Sequence, residues 1–327
     1  MARVIVIGGS GHVGSYLVPA LVQRGHNVVN VSRGLAKPYR PHSAWNEVEN
    51  VLLDRAAEER SGRFGRRVAD LRPDIVVDMI SFDRPSTQQI VESLRGKIEH
   101  YLFCSSIWVY GGLVTIPSTE IDPPNPIDAY GKGKAESEAW LMREARISGF
   151  PSTCFRPGHI VGEGWNPITP QGNANPETFS RIARGDELVL PNLGLEMVHH
   201  VHASDVAQWI ICAIDNRTAS IGEVFNTVSN QAVTLRGYAE AVYQWFGKEP
   251  RIAYQPFDEW ISGLGEYAEN TRGHIIRSSC HSIEKSRQRL GYTPRYTSLE
   301  AVYEAIQALI ADGKVTVPGS PGESEGL

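Results

Sequence analysis

Tyr130 and Lys134 close the stretch Tyr130-Gly131-Lys132-Gly133-Lys134, a spacing that puts a phenol and an ammonium on one face of a helix. Twenty-four residues before the tyrosine, the apolar run Tyr101-Leu102-Phe103-Cys104 ends in the hydroxyls of Ser105 and Ser106. A strand that ends in hydroxyls at the carboxyl edge of a sheet sits where open α/β sheets bind ligands. A third constellation stands near the start of the chain: Gly8-Gly9-Ser10-Gly11-His12-Val13-Gly14 directly follows Arg3-Val4-Ile5-Val6-Ile7. Glycines at 8, 11 and 14 allow a tight turn, close approach of backbone to a pyrophosphate, and close packing of the next helix. The chemistry expected there is dinucleotide binding, with the phosphates on a helix N-terminus where free N–H groups and the dipole favour an anion.

The elements that must position these groups follow from periodicity. Apolar runs predict strands over 3–7, 27–32, 50–53, 74–80, 99–105, 152–156 and 222–228. Helical patterns fall near 12–24, 56–71, 85–96, 130–148, 204–215, 234–246 and 298–311. Strands alternating with helices, and apolar almost throughout, predict an α/β fold of the Rossmann type with a doubly wound parallel sheet. Residues 1–158 are expected to form the dinucleotide-binding domain, to which 201–230 return. Residues 159–200 and 231–316 are expected to form a smaller substrate-binding lobe. Residues 157–200 are rich in Gly, Pro, Asn and His with little periodicity and read as a loop-built binding region. The tail 317–327 reads as disordered.

Taken in order, the glycine loop, Ser105-Ser106-Ile107-Trp108-Val109-Tyr110-Gly111, Tyr130-x-x-x-Lys134 and Arg156-Pro157-Gly158 resemble the extended short-chain dehydrogenase/reductase family, closest to its sugar epimerase/dehydratase branch. The likeness continues through Val201-His202-Ala203-Ser204-Asp205-Val206-Ala207, Gly222–Asn226 and Leu290–Pro294, and so covers about residues 1–310. It implies that Tyr130 donates and accepts the proton of a substrate hydroxyl or carbonyl. Lys134 would hold the nicotinamide ribose and lower the tyrosine's pKa from its ordinary value of about 10. Ser106 would orient the substrate oxygen. Gly8, Ser10, Gly11, His12, Val13 and Gly14 would cradle the cofactor's phosphates, with Ser81, Ser105, Pro157 and Gly158 nearer the nicotinamide and Asp54 near the adenine. Trp165 and Asn173 belong to a polar-aromatic loop whose residue types suit hydroxyl recognition and ring stacking, and with Ser106, Trp108, His159 and His200 they are expected to meet a sugar or sugar-like substrate.

Departures from the family's pattern sharpen the expectation. Strand two ends in Ser32-Arg33 where NAD-dependent members carry an aspartate, so NADP is favoured over NAD: a guanidinium can stack on adenine and pair a 2′-phosphate. Ile107 and Trp108 replace the acidic pair that follows the catalytic hydroxyl in 4,6-dehydratases, which disfavours dehydration. Pro85 stands where the helix before strand five usually carries an asparagine. Val198 occupies the position of the arginine that binds a nucleotide diphosphate, with Arg272 and Arg277 as possible substitutes. His200 and His202 share one face of a strand while His199 points to the other. They read as satisfied or substrate-facing imidazoles, and no metal site is expected.

At 327 residues, with 41% apolar and 21% charged, the chain reads as a globular protein with ample core. A net charge of −5 without a basic block argues against nucleic acid as a partner. Four scattered cysteines fit a reducing cytoplasm, and no targeting or membrane-spanning segment is expected. The reading is an NAD(P)-dependent epimerase or oxidoreductase acting on a secondary alcohol through a keto intermediate. A homodimer is expected, paired through the helices at 85–96 and 130–148. The alternatives are an NADPH-dependent ketoreductase of a small carbonyl compound, or a non-catalytic nucleotide- or RNA-binding member of the same fold.

Overall fold

The computed structural model describes residues 1–319, and the part of the tail from 320 to 327 lies outside the described residues. Six apolar runs of the first half become strands: β1 (Arg3–Ile7), β2 (Asn27–Ser32), β3 (Glu49–Leu52), β4 (Ile75–Asp78), β5 (His100–Cys104) and β6 (Ser152–Pro157). A seventh, at Val224–Thr227, pairs with β6 from residue 224 opposite Cys154. All seven run parallel, and their spatial order from one edge is Val224–Thr227, β6, β5, β4, β1, β2, β3. The order reverses at β1, which pairs with β2 on one side and β4 on the other. The crevice at such a reversal is the ligand edge of an open sheet.

Both faces of the sheet are covered, which explains strands apolar at every position. Val4 and Val6 of β1 face one core with helix α1 (Gly14–Gln23) and the helix at Ala203–Asp215. Ile5 and Ile7 alternate onto the other face. There they meet Phe64 and Val68, Ile90 and Leu94, and Trp140 and Leu141 from the crossover segments.

The helix predicted over 56–71 is two helices, α2 (Arg55–Arg60) and α3 (Phe64–Ala69), separated by a turn in which Gly62 takes φ +68°. The next two crossovers are single helices, α4 (Arg84–Leu94) and α5 (Ala129–Ser148). The loop-built reading of 157–200 is also corrected. That stretch holds β7 (His159–Val161), α6 (Glu177–Arg184), β8 (Leu188–Pro191), β9 (Met197–Val198) and the start of β10 (His200–His202). Its helix is short, and Phe179, Ile182 and Ala183 form a narrow buried stripe that eight residues barely display as a period. A separate core joins these elements to the later helices, with Leu188, Leu190, Tyr238, Trp260, Val302 and Ile306. Val317 packs on this core, so the disorder expected from 317 does not begin there.

Candidate active site

The glycine loop leaves β1 with Gly8 at φ +88°, and Gly11 donates its N–H to the Gly8 carbonyl at 3.1 Å. Gly14 opens α1 so close to the loop that a Cβ there would overlap the Gly9 backbone, and only glycine fits. A cleft of about 580 Å³ runs along this loop. Gly8, Ser10 and Gly11 form its floor, Ser32, Arg33 and Asp54 one end, and Ile80, Phe82 and Asp83 the other. Asp54 caps α2 by accepting the Ala57 N–H at 2.9 Å. Asn30, buried in β2, ties the loop to the neighbouring strands by donating to Ser10 Oγ and Asn50 Oδ1, both at 2.9 Å. Nothing in the local sequence pattern pointed to Asn30.

Phe82 carries the cleft to the second constellation, its ring 6.2 Å from that of Tyr130. Tyr130 lies in the first turn of α5, two-fifths exposed. Lys134, one turn on, is almost wholly buried and donates to the carbonyls of Ser81 and Cys104, each at 2.6 Å. The lysine therefore joins the carboxyl ends of β4 and β5 beneath the tyrosine, with Nζ 5.6 Å from the phenol ring centre. The Ser81 hydroxyl is turned away, to Thr87 Oγ1 at 2.8 Å. Ser106 caps the 3₁₀ turn Ile107–Tyr110 by accepting the Trp108 N–H at 3.2 Å. The Ser105 hydroxyl is buried without a partner.

The expected lowering of the tyrosine's pKa is not present in this structure. Burial, foremost, and the neighbouring Cys104 and Asp128 raise it, against a smaller opposing effect of hydrogen bonding to Ser106. Lys134's charge is spread onto two carbonyls, and burial lowers its own pKa.

These residues test whether the fold's cofactor has a place here. The backbone cradle that a Cβ at Gly14 would block, the cleft beside Ser32 and Arg33, and the unpartnered Ser105 hydroxyl all fit a dinucleotide reaching from β2 to Tyr130.

Residues 4–227 match the family described as the NAD dependent epimerase/dehydratase family, more than half of the chain. The chain belongs to that family. Among curated relatives it is 32% identical to 2'-dehydrokanamycin reductase of Streptomyces kanamyceticus, over 82% of this chain and 73% of that one. It is 26% identical to the chloroplast stem-loop binding protein of 41 kDa b of Arabidopsis thaliana, over 93% and 78% respectively. The fold matches the structure of UDP-glucose 4-epimerase from Thermotoga maritima with a TM-score of 0.73 at 20% identity, covering 95% of this chain and 99% of that one. The protein is thus an NAD(P)-dependent enzyme of the extended short-chain dehydrogenase/reductase type.

Against this family background, several expected substrate contacts lie elsewhere. Trp165 stacks on His12 with ring centres 5.2 Å apart, over the glycine loop rather than beside Tyr130. His12 itself approaches the Glu163 carbonyl at 3.2 Å, and burial lowers its pKa to about 4. Arg40 pairs with Glu163 at 3.2 Å, completing a clasp of two loops across the glycine turn. Asn173 spends its amide inside its own loop and on Thr271 Oγ1 at 3.2 Å, so it is a loop fastener. His200 is wholly buried, near the Ile168 carbonyl at 3.0 Å and edge-on to Tyr238. Its neighbours His199 and His202 go to separate places, the Ser229 carbonyl and Glu304.

His159 is linked through His274 to Trp108, beside Tyr130. Both its ring nitrogens are buried without partners, and its ring is 5.1 Å from that of His274. His274 in turn meets Trp108 edge-on at 5.1 Å. Burial lowers both imidazoles, His274 to about 4, and holds them neutral. His274 escaped the sequence reading because it lies 144 positions after Tyr130 in no recognisable motif. Val198 is buried in the β9 ladder opposite Val233. Of the two expected substitutes, Arg277 is paired with Asp128, whereas Arg272 only borders the Phe257 ring at 5.2 Å.

Proposed function

We propose that this protein is an NAD(P)-dependent epimerase or oxidoreductase acting on a secondary alcohol of a sugar-like substrate through the corresponding ketone. The observation that carries this reading is the convergence of Tyr130, Ser106 and the buried Lys134 at the end of the dinucleotide cleft. When bound, the nicotinamide supplies hydride acceptance and donation at the carbinol carbon. Tyr130, partly exposed at the mouth, takes the hydroxyl proton and returns it to the carbonyl oxygen. Ser106 would orient that oxygen, and Lys134, with Nζ 5.6 Å from the Tyr130 ring centre, would hold the ribose and favour the phenolate. His159, kept neutral with both ring nitrogens unpartnered, offers a donor and an acceptor to substrate hydroxyls, while His274 donates Nδ1–H to the Asn270 carbonyl. Ile107 and Trp108 carry no group that could transfer the protons of a dehydration.

NADP is the preferred cofactor in this reading. Arg33 and Ser32 line the cleft, and Lys37 borders a second hollow of about 490 Å³ beyond Ser32, a cationic setting for a 2′-phosphate. A second reading, a reductase that exchanges its cofactor at each turnover, is favoured by the 32% identity to 2'-dehydrokanamycin reductase. We also propose a cytoplasmic homodimer through α4 and α5, already packed on each other within the chain, and light scattering giving only a 36.1 kDa particle would contradict it.

The deciding experiment has two arms. Mass spectrometry of nucleotide released on denaturing the purified protein, and NADPH consumption with a panel of keto sugars that includes 2'-dehydrokanamycin, are measured side by side. Tightly held cofactor without net consumption supports epimerisation, whereas empty protein that consumes NADPH supports the reductase. Protein that neither retains nor binds nicotinamide nucleotide overturns both.

A further inference from the structure

Arg277 is a cation with almost no solvent exposure, and it stands at the junction of the two segments that carry Tyr130 and Ser106. Its guanidinium pairs with Asp128, which caps α5 by accepting the Gly131 N–H at 2.6 Å. The same guanidinium lies 3.8 Å from the centre of the Trp108 ring and donates to the Gly273 carbonyl. Trp108 meets Tyr130 edge-on at 5.9 Å, and its backbone N–H donates to Ser106 Oγ. The first turn of α5 presses on this segment so closely that a Cβ on Gly131 would come within 2.7 Å of the Trp108 carbonyl.

We infer that Arg277 is a positioning residue for the proposed chemistry, a clamp from the C-terminal lobe that fixes the Tyr130 turn against the Ser106–Trp108 turn and screens Asp128 from the phenol. A buried guanidinium is suited to this because it can pair a carboxylate and stack on an aromatic face at once. The inference rests on the reading of Tyr130 as the acid/base group.

The charged and titratable groups around Tyr130 set the sign of the effect. Asp128 and Lys134 come from α5, Cys104 from β5, and Arg277 and His274 from behind Asp128 and Trp108. Asp128 disfavours the phenolate, and the cation paired with it is inferred to offset that. Arg277→Met keeps much of the stacking volume but leaves Asp128 unscreened, so the phenol's titration moves up by roughly 0.5–1 unit. Asp128→Asn keeps the helix cap while removing the carboxylate, so the titration moves down by a similar amount. Arg277→Lys restores the charge and brings the value back toward wild type.

The readout is ¹⁹F NMR of full-length protein labelled with fluorotyrosine, whose phenol titrates below that of tyrosine, with the Tyr130 resonance assigned by Tyr130→Phe. Opposite shifts in the two charge variants, and recovery with lysine, are expected. Titrations that stay unchanged, or move the same way in both variants, overturn the clamp. Should Arg277→Met fail to fold, the downward shift in Asp128→Asn and the near-normal titration in Arg277→Lys still decide it. Failure of the underlying reading looks different: Tyr130→Phe would then retain keto-sugar turnover whatever the resonances do.

Discussion

The two ends of the active cleft are built on different principles. At the proposed dinucleotide end, the recognition would fall to the backbone of one segment: a strand, six residues and a helix. At the proposed substrate end it would fall to side chains, and these come from four separate places: the turn after β5, the start of α5, β7, and the 268–279 stretch of the C-terminal lobe. The first arrangement tolerates few substitutions at its glycines, and the distant residues that touch it, Asn30 and Trp165, brace the loop. The second can be rebuilt for new substrates, since its walls are independent of the strand ends that hold the cofactor.

Imidazoles mark the same division, and they offer the largest effect by which to test it. Eight histidines are buried with their pKa values pushed down, His12, His100, His159, His199, His200, His202, His274 and His281, and six of these lie after residue 158. Burial is the first cause in every case. A depressed folded-state pKa means that the unfolded chain binds more protons once pH falls below about 6.5, so stability is full above that value and is lost on acidification. Each such imidazole costs roughly 1.4 kcal/mol per pH unit until its folded pKa is reached, against a total stability of about 5–15 kcal/mol. Denaturant unfolding at pH 7.5, 6 and 5 (values chosen about the imidazole pKa of roughly 6.5) should show a steep loss, with hydrogen exchange rising first in β7–β10. A midpoint independent of pH over that range would mean the imidazoles are not buried as a set.

The catalytic end should be the more sensitive to removal of a single atom. Tyr130→Phe deletes one hydroxyl and leaves the glycine loop intact, so turnover of a keto-sugar substrate should fall roughly 10²–10⁴-fold with nicotinamide nucleotide affinity nearly unchanged. Retention of more than about a tenth of the rate would remove Tyr130 from the proposed role.

How much of this was legible beforehand follows the same line. The glycine loop and the parallel strands were readable because their determinants are local: β-branched runs, and glycines at a spacing set by one turn. The Tyr130–Lys134 helix was readable for the same reason. The apolar period predicts one helix through Ser61-Gly62-Arg63, whereas the chain forms two, parted at the positive φ of Gly62. Trp165, Asn173 and His200 suit a substrate by residue type, but tertiary packing gives their polar atoms or rings to His12, Thr271 and the Ile168 carbonyl. His274 and the clamping position of Arg277 depend on contacts across more than 140 residues, and no local pattern encodes them.

Lys134 belongs to both ends, so its loss should blur the contrast. Lys134→Ala leaves the buried carbonyls of Ser81 and Cys104 without their donor, a cost of roughly 1–3 kcal/mol each, and also removes the proposed ribose contact. Stability, nucleotide affinity and rate should all decline together. A fall in rate with stability and nucleotide affinity unchanged would contradict the bridging geometry.

The smallest effect concerns the far tip of the dinucleotide end, where a side chain rather than the backbone is asked to discriminate. Arg33 is exposed, lines the cleft beside Ser32, and lies on a turn in which the Gly34 N–H approaches Ser32 Oγ at 3.2 Å. A carboxylate at the end of β2 would repel a 2′-phosphate, and Ser32 presents a hydroxyl instead. If Arg33 pairs that phosphate, NADP(H) should bind more tightly than NAD(H), and Arg33→Ala should erase the difference without altering NAD(H) affinity. A charge-assisted hydrogen bond contributes roughly 1.5–3 kcal/mol, and partial solvation places this one at the lower end, about tenfold in affinity. The interaction should also weaken with added salt, since an exposed pair is screened whereas the backbone cradle at Gly8–Gly14 is not. Calorimetric titration of both nucleotides against wild type and variant, at low and high ionic strength, separates the two contributions. Equal affinities in the wild type would return Ser32-Arg33 to the status of an ordinary loop and leave recognition at this end wholly to the backbone.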